Sequence, residues 1–262
     1  MVTIQEITHF VEEQSGHPLN RDEGVHHGSA ERSVQRATVC WMATPDAIRA
    51  AGARGDDLLI GHESLYYPYD VVNLEKQPPG WEEWPTNQQR RTLLEQYNLT
   101  FLRLHGSVDD ICILSDFAEQ LGLGAPVHED GLVHIYEIEP CSFAELVARV
   151  KAGTGMAGLR VAPAEPMPQE IRRIGLPWGG MALFVNVGYM QKLIALGCEA
   201  LIAGETDNYG FRFPQELGIP MIETSHEISE NRGLRHFTAM LAEAFPTVDF
   251  HFFENGCVWE MW

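Results

Sequence analysis

Basic residues are scarce in this chain: 18 Lys and Arg stand against 37 Asp and Glu, a formal net charge of −19 over 262 residues. So acidic a chain repels phosphate backbones and anionic headgroups, which argues against non-specific nucleic-acid binding and against a membrane-surface role. Long apolar runs are also missing, and no stretch approaches the roughly 20 residues that cross a bilayer. Residues 1–11 lack a basic segment followed by an apolar one, so no secretory signal is expected. Cysteine is sparse: Cys40, Cys112, Cys141, Cys198 and Cys257 are odd in number and widely spaced, with no CxxC pair. A disulfide scaffold and a thiolate zinc site are therefore not expected, and a reducing, cytoplasmic setting is. Any metal would be held by His and carboxylates. No GxxxxGK[ST] or GxSxG occurs, and residues 153–158 (GTGMAG) match GxGxxG in the wrong setting, after a helix and before a strand.

What remains is the composition of a globular protein, 45% hydrophobic and 10% aromatic. Short apolar strands alternate with amphipathic helices. Strands are expected over residues 34–42, 58–60, 100–104, 132–138, 159–162, 171–176, 200–203, 220–223 and 248–253. Helices are expected over residues 45–53, 87–97, 109–122, 142–152, 211–217 and near 234–245, and one opening at Gly179-Gly180 and running to about Leu196. Residues 77–86 (QPPGWEEWPT) read as a loop, with Trp81 and Trp84 packing or serving an interface. His26-His27 falls in a polar, exposed loop. The alternation implies an α/β fold of mixed sheets flanked by helices. The chain reads as one unit over 1–262 of two interleaved α/β halves with no inserted domain. The Pro-rich residues 165–169 suggest a division into 1–164 and 165–262, without a clear sequence repeat.

In α/β folds ligands gather where strands end and helices begin. Three strand ends here carry metal-type ligands: His62-Glu63 after DDLLIG, His105 to Asp109 (HGSVD) after FLRL, and His226 with Glu230 (SHEISE) after MIET. Imidazole and carboxylate together suit zinc, iron or manganese. Each pair has a plainer reading. His226 and Glu230 at i,i+4 describe a solvated helix face as well as a ligand pair. His62 is either a core histidine or a ligand, and Asp109 either a helix cap or a ligand. Gly179-Gly180 is either an anion receptor through its backbone N–H groups or a tight turn. Glu205, after ALIAG, is either a general base or one partner of a salt bridge. The coincidence of the three pairs at strand ends favours a metal site.

Four segments together resemble the GTP cyclohydrolase I type 2 homologs, also called Nif-three-like proteins. VQRATVCWMATPDAIRAAGARGDDLLIGHESLYYP is similar to a strand–helix–strand unit that ends in His-His-Pro-Leu. LHGSVD resembles a His-Thr-Asn-Leu-Asp segment. RIGLPWGG followed by GCEALIAGETDNYG resembles a glycine turn and a strand ending in Thr-Gly-Glu. IPMIETSHEISENRGLRHF resembles a segment with Gly-His-x-x-x-Glu. Their joint order and spacing cover nearly the whole chain in the short form of the family.

The resemblance implies a two-metal centre in an α/β fold, commonly assembled as a toroidal homohexamer. Carried over by position, the ligands are His62, Asp109, His226 and Glu230, and Glu63 stands where the family has its second His, which makes the site harder and more negative. Gly106-Ser107 and Asp22-Glu23-Gly24-Val25 also depart from the family pattern, marking a divergent member. His105 is placed beside the two divalent ions as a candidate catalytic residue, as is Glu205. The implied activity is metal-assisted hydrolysis of a small molecule, a nucleotide or phosphoester. The alternative is a non-catalytic metal-binding, regulatory or metal-handling protein.

Overall fold

A computed structural model describes residues 1–68 and 77–260. The chain forms two compact units: Met1–Cys112 with Leu234–Asn255, and Ile113–Gly233 with Gly256–Trp262. The boundaries therefore fall at 112/113, 233/234 and 255/256, whereas the sequence suggested 164/165. The Pro-rich stretch instead joins two strands of one sheet.

The first unit begins with β1 (Val2–Thr3) and α1 (Ile4–Ser15), followed by β2 (Gly24–His27), β3 (Ser33–Val34), β4 (Arg36–Cys40), α2 (Pro45–Arg54), β5 (Leu58–Gly61), α3 (Pro85–Gln96), β6 (Thr100–Arg103) and the single turn α4 (Gly106–Val108). A final strand, β13 (Asp249–Phe253), returns to this unit and completes a sheet of order β13-β4-β5-β6-β2. All neighbours are parallel except β2, which runs antiparallel to β6. His26-His27 are thus half-buried in an edge strand rather than in a loop. Local chemistry sets the elements. The Thr44 hydroxyl accepts from the Ala47 amide, Pro45 opens α2, and Gly55 closes it in a left-handed conformation. Ile48, Leu59, Leu94 and Phe101 are fully buried between α2, α3 and the sheet. The register aligns Cys40 with Gly61 and Gly61 with Arg103, so β4, β5 and β6 end together. His62 and His105 follow immediately.

The second unit contains α5 (Leu114–Gln120), β7 (His128–Asp130), β8 (Val133–Cys141), α6 (Phe143–Thr154), β9 (Arg160–Ala162), β10 (Ile171–Gly175), α7 (Val187–Ala195), β11 (Ala200–Ala203), α8 (Asn208–Gln215) and β12 (Met221–Glu223). The helix α9 (His226–Ala244) starts here and belongs to the first unit from Leu234 onward. The sheet order is β7-β8-β10-β11-β12-β9, with β10, β11 and β12 parallel. Ser142 caps α6 in a full capping box with Glu145. The helix expected from Gly179-Gly180 begins only at Val187, because the glycines form a turn and a 3-10 turn (Phe184–Asn186) intervenes. Likewise α8 starts three residues before the expected Phe211, where the Asp207 carboxylate accepts from the Tyr209 and Gly210 amides. Here β11 and β12 end together, Ala203 beside Glu223, delivering Glu205 after β11 and His226 after β12.

All five cysteines are free. Among the described residues no helix is long and apolar enough to cross a membrane.

Candidate metal centre

In the first unit His62 is buried at the end of β5, where its Nδ1 lies 3.1 Å from the Leu104 carbonyl oxygen. A carbonyl can only accept, so Nδ1 carries a proton and Nε2 is the nitrogen that could offer a lone pair to a metal. Nε2 is 3.7 Å from Oδ1 of Asp109. A ring fixed through Nδ1–H to a carbonyl, with Nε2 turned to a carboxylate, is the arrangement of a metal-ligating histidine. Asp109 opens a turn of π-helix, Asp109–Ile113, rather than the regular helix expected from residue 109. Such bulges are frequent at functional sites.

His105 stacks edge-on against His62, with ring centroids 4.8 Å apart, and its Nε2 is 4.0 Å from Oε1 of Glu63. His62, Glu63 and His105 form a group whose ligand atoms could hold one metal ion. The structure thus brings His105 into ligand range, beyond the role beside the metals given it from sequence. Two residues that the sequence marked only as a departure from the family pattern, with nothing to tie them to His105, position it. The Asp22 carboxylate lies 3.1 Å from His105 Nδ1 and 2.9 Å from Arg103 Nη1, and Glu23 accepts from the amides of His105 and Ser107. The hydrogen bond to His105, against burial and with help from Arg103, holds the Asp22 carboxyl down at about 2. Burial alone would lower the His105 pKa; the Asp22 bond and the charges of Glu63 and Asp109 outweigh it and raise it to about 9. The one clue in the sequence was Arg103, a charge inside a strand that proves fully buried.

In the second unit His226 is the first residue of α9. Its Nδ1 is 3.0 Å from Oε2 of Glu205, and its Nε2 is 3.3 Å from Oε1 of Glu230 one turn on. The i,i+4 pair is therefore inward rather than a solvated face: Glu230 is buried. Glu205 takes the outer position that orients a ligating imidazole. Ser225, just before the helix, has φ 146°, so the strand-to-helix turn is strained for a residue with a side chain.

Gly179-Gly180 closes over this pair. A Cβ at Gly179, whose φ is 49°, would run into the Glu230 carboxylate, and one at Gly180 would press on the His226 ring. The Gly179 amide donates to Ser229 Oγ at 2.9 Å, so that N–H is already used within the fold and is not offered to an anion. The turn serves close approach.

Each unit thus presents a His–carboxylate set with buried carboxylates, Glu63 and Asp109 in the first and Glu230 in the second, following the carboxyl ends of parallel strands. Buried carboxylates are costly without a cation, and N/O donors of this kind fit a divalent metal of the zinc, iron or manganese type. An α/β chain with two such sets is a candidate metal-binding protein. Residues 2–256 match the family Duf34/NIF3 (NGG1p interacting factor 3), and the chain belongs to it. It is 23% identical over 249 residues to a Helicobacter pylori protein named GTP cyclohydrolase 1 type 2, covering 94% of this chain and 93% of the relative. A GTP cyclohydrolase 1 type 2 homolog of Neisseria meningitidis is 22% identical, covering 82% of each chain. Among solved structures, a Bacillus cereus protein related to NIF3 superposes with a TM-score of 0.78 at 12% identity, over 100% of this chain and 99% of the other.

Proposed function

We propose that the chain is a dinuclear metal-binding protein and a metal-dependent hydrolase acting on a nucleotide or phosphoester, in the manner the relatives' names suggest. The observation that carries this reading is the pair of histidines held through Nδ1, His62 by a carbonyl and His226 by Glu205, each with Nε2 turned to a carboxylate. In the first unit the donors would be His62, Glu63 and Asp109, and in the second unit, by itself, His226 and Glu230. When bound, divalent ions would furnish an activated water and a clamp for developing negative charge. The chain's own part is to fix the imidazole tautomers, hold the carboxylates ready in a buried setting, and offer His105, braced by Asp22, as a proton donor or acceptor. A cytoplasmic homohexamer is part of the same proposal.

Metal content of protein purified without added metal tests the site. At least one equivalent is expected, falling with His226→Ala; less than one equivalent, unchanged by that substitution, overturns the assignment. The substitution of Glu63 for the family's second His supports a second reading, a metal-binding protein without turnover. Nucleotides and phosphodiesters offered to the loaded protein separate the two. Turnover abolished by Asp109→Ala supports the hydrolase, and no turnover with any of them supports the binder.

A further inference from the structure

Arg90 projects from the buried face of α3 and is 3% exposed, yet no carboxylate pairs with it among the described residues. A guanidinium is charged at every accessible pH, and burying one without a counter-charge costs free energy. Its hydrogen bonds are modest. Nη1 donates to the Leu65 carbonyl at 2.6 Å, while Nη2 meets the Met42 sulfur at 3.4 Å and the Tyr67 hydroxyl at 3.3 Å. A thioether and a phenol are weak acceptors for a cation, and the buried Nε has no hydrogen-bond partner among the described residues. The guanidinium carbon sits 4.8 Å from the Tyr67 ring centroid, a partial compensation. The next residue, Arg91, lies similarly 5.6 Å from the Tyr66 ring.

Tyr67 is itself held in place. Asn87, one turn before Arg90 on α3, accepts from the Tyr67 amide at 2.9 Å and donates to the Tyr67 carbonyl at 2.5 Å. Tyr67 is nonetheless 42% exposed, so the residue that covers the guanidinium lies at the surface. The segment is also tied to the first ligand set: Leu65 follows Glu63 by two residues, at most about 7 Å of chain.

We propose that Arg90 and the Tyr67 hydroxyl form an oxyanion-binding pair that receives the phosphate or carboxylate group of a small ligand beside His62 and Glu63. An oxyanion would replace the thioether and phenol as acceptor for Nη2 and supply the missing counter-charge, and Arg91 adds a second positive charge on the same helix. In a chain of net charge −19 such a local concentration of positive charge is what an anionic ligand requires. The inference rests on the metal reading only for the neighbourhood of the ligand, and its test is made without metal.

Full-length protein treated with chelator is titrated calorimetrically with inorganic phosphate, and separately with acetate, at low ionic strength. Wild type is expected to bind at least one of the two. Tyr67→Phe should weaken that binding several-fold, and Arg90→Gln by about tenfold or more. If Arg90→Gln does not fold, Arg90→Lys, which keeps the charge and loses the fork, and Tyr67→Phe decide the matter. Wild-type affinity in both of these overturns the proposal. So does the absence of oxyanion binding by the metal-free wild type, including binding that appears only after metal is restored. Metal content of the same samples reports separately on the metal site.

Discussion

At the scale of single residues, the turn into α9 concentrates the strain. Ser225 combines a φ of 146° with a buried hydroxyl that has no hydrogen-bond partner among the described residues. Glycine adopts that backbone freely, so Ser225→Gly is expected to stabilise the protein by about 1 kcal/mol, the relieved strain exceeding glycine's entropy cost. Urea denaturation checks it; a loss of stability would show that the serine side chain is held by something other than backbone geometry. Glu223, at the end of β12, makes a different prediction. Burial, opposed by Arg160 2.7 Å away, raises its carboxyl from 4.5 to about 7. Between those values the folded chain retains a proton that the unfolded chain has released. The stability this group contributes is therefore complete below about pH 4.5 and is lost as pH climbs to 7. Glu223→Gln should remove that decline, so the wild type and variant should differ in slope across pH 4.5–7 in denaturation measurements.

At the scale of elements, the Gly179-Gly180 turn decides how closely β10's exit can approach α9. Gly179→Ala must both hold φ 49° and push aside Glu230, and a loss of roughly 1–3 kcal/mol is expected, together with weaker metal uptake. Thermal denaturation and metal analysis of the same preparation check the two effects. An alanine variant equal to wild type in both would remove the turn from any role at the site. Elements with chemistry in consecutive residues were the legible ones. Thr44-Pro45 and Ser142 with Glu145 announce helix starts, and His226 with Glu230 share one face by helical spacing alone. The edge strand β2 was not legible, since Gly-Val-His-His offers no alternation, and only pairing with Phe101, Leu102 and Arg103 makes it a strand. Asp22 and His105 are 83 residues apart, so nothing local could join them.

At the scale of the whole molecule, the α/β class and the three strand ends were readable, because each parallel strand runs as a short apolar block into its ligand. The unit boundaries were not, because they depend on β13 aligning Asp249 to Phe253 with Arg36 to Cys40 across the chain. The candidate ligand residues come from strand ends scattered over the sequence, so the unfolded chain cannot present them together. Metal that binds the folded form alone must stabilise it. Chelator treatment is expected to lower the thermal midpoint, and restoring zinc, iron or manganese to raise it in a concentration-dependent way, by about 3–4 kcal/mol of stability at a hundred to a thousand times the dissociation constant. His226→Ala should blunt the response; a midpoint indifferent to chelator and metal alike would contradict the reading.

The π-turn at Asp109–Ile113 carries a consequence for how such a centre could arise or vanish. A π-turn spreads one full turn over about one residue more than the α-helix, so the extra residue is absorbed and the windings on either side keep their direction. Gain or loss of one residue within Asp109–Ile113 would re-aim the side chains inside the turn, Asp109 toward His62 among them, while the buried face of α5, with Leu114 and Phe117, keeps its direction. A single codon could thus set or erase the aspartate's aim without repacking the helix that follows it.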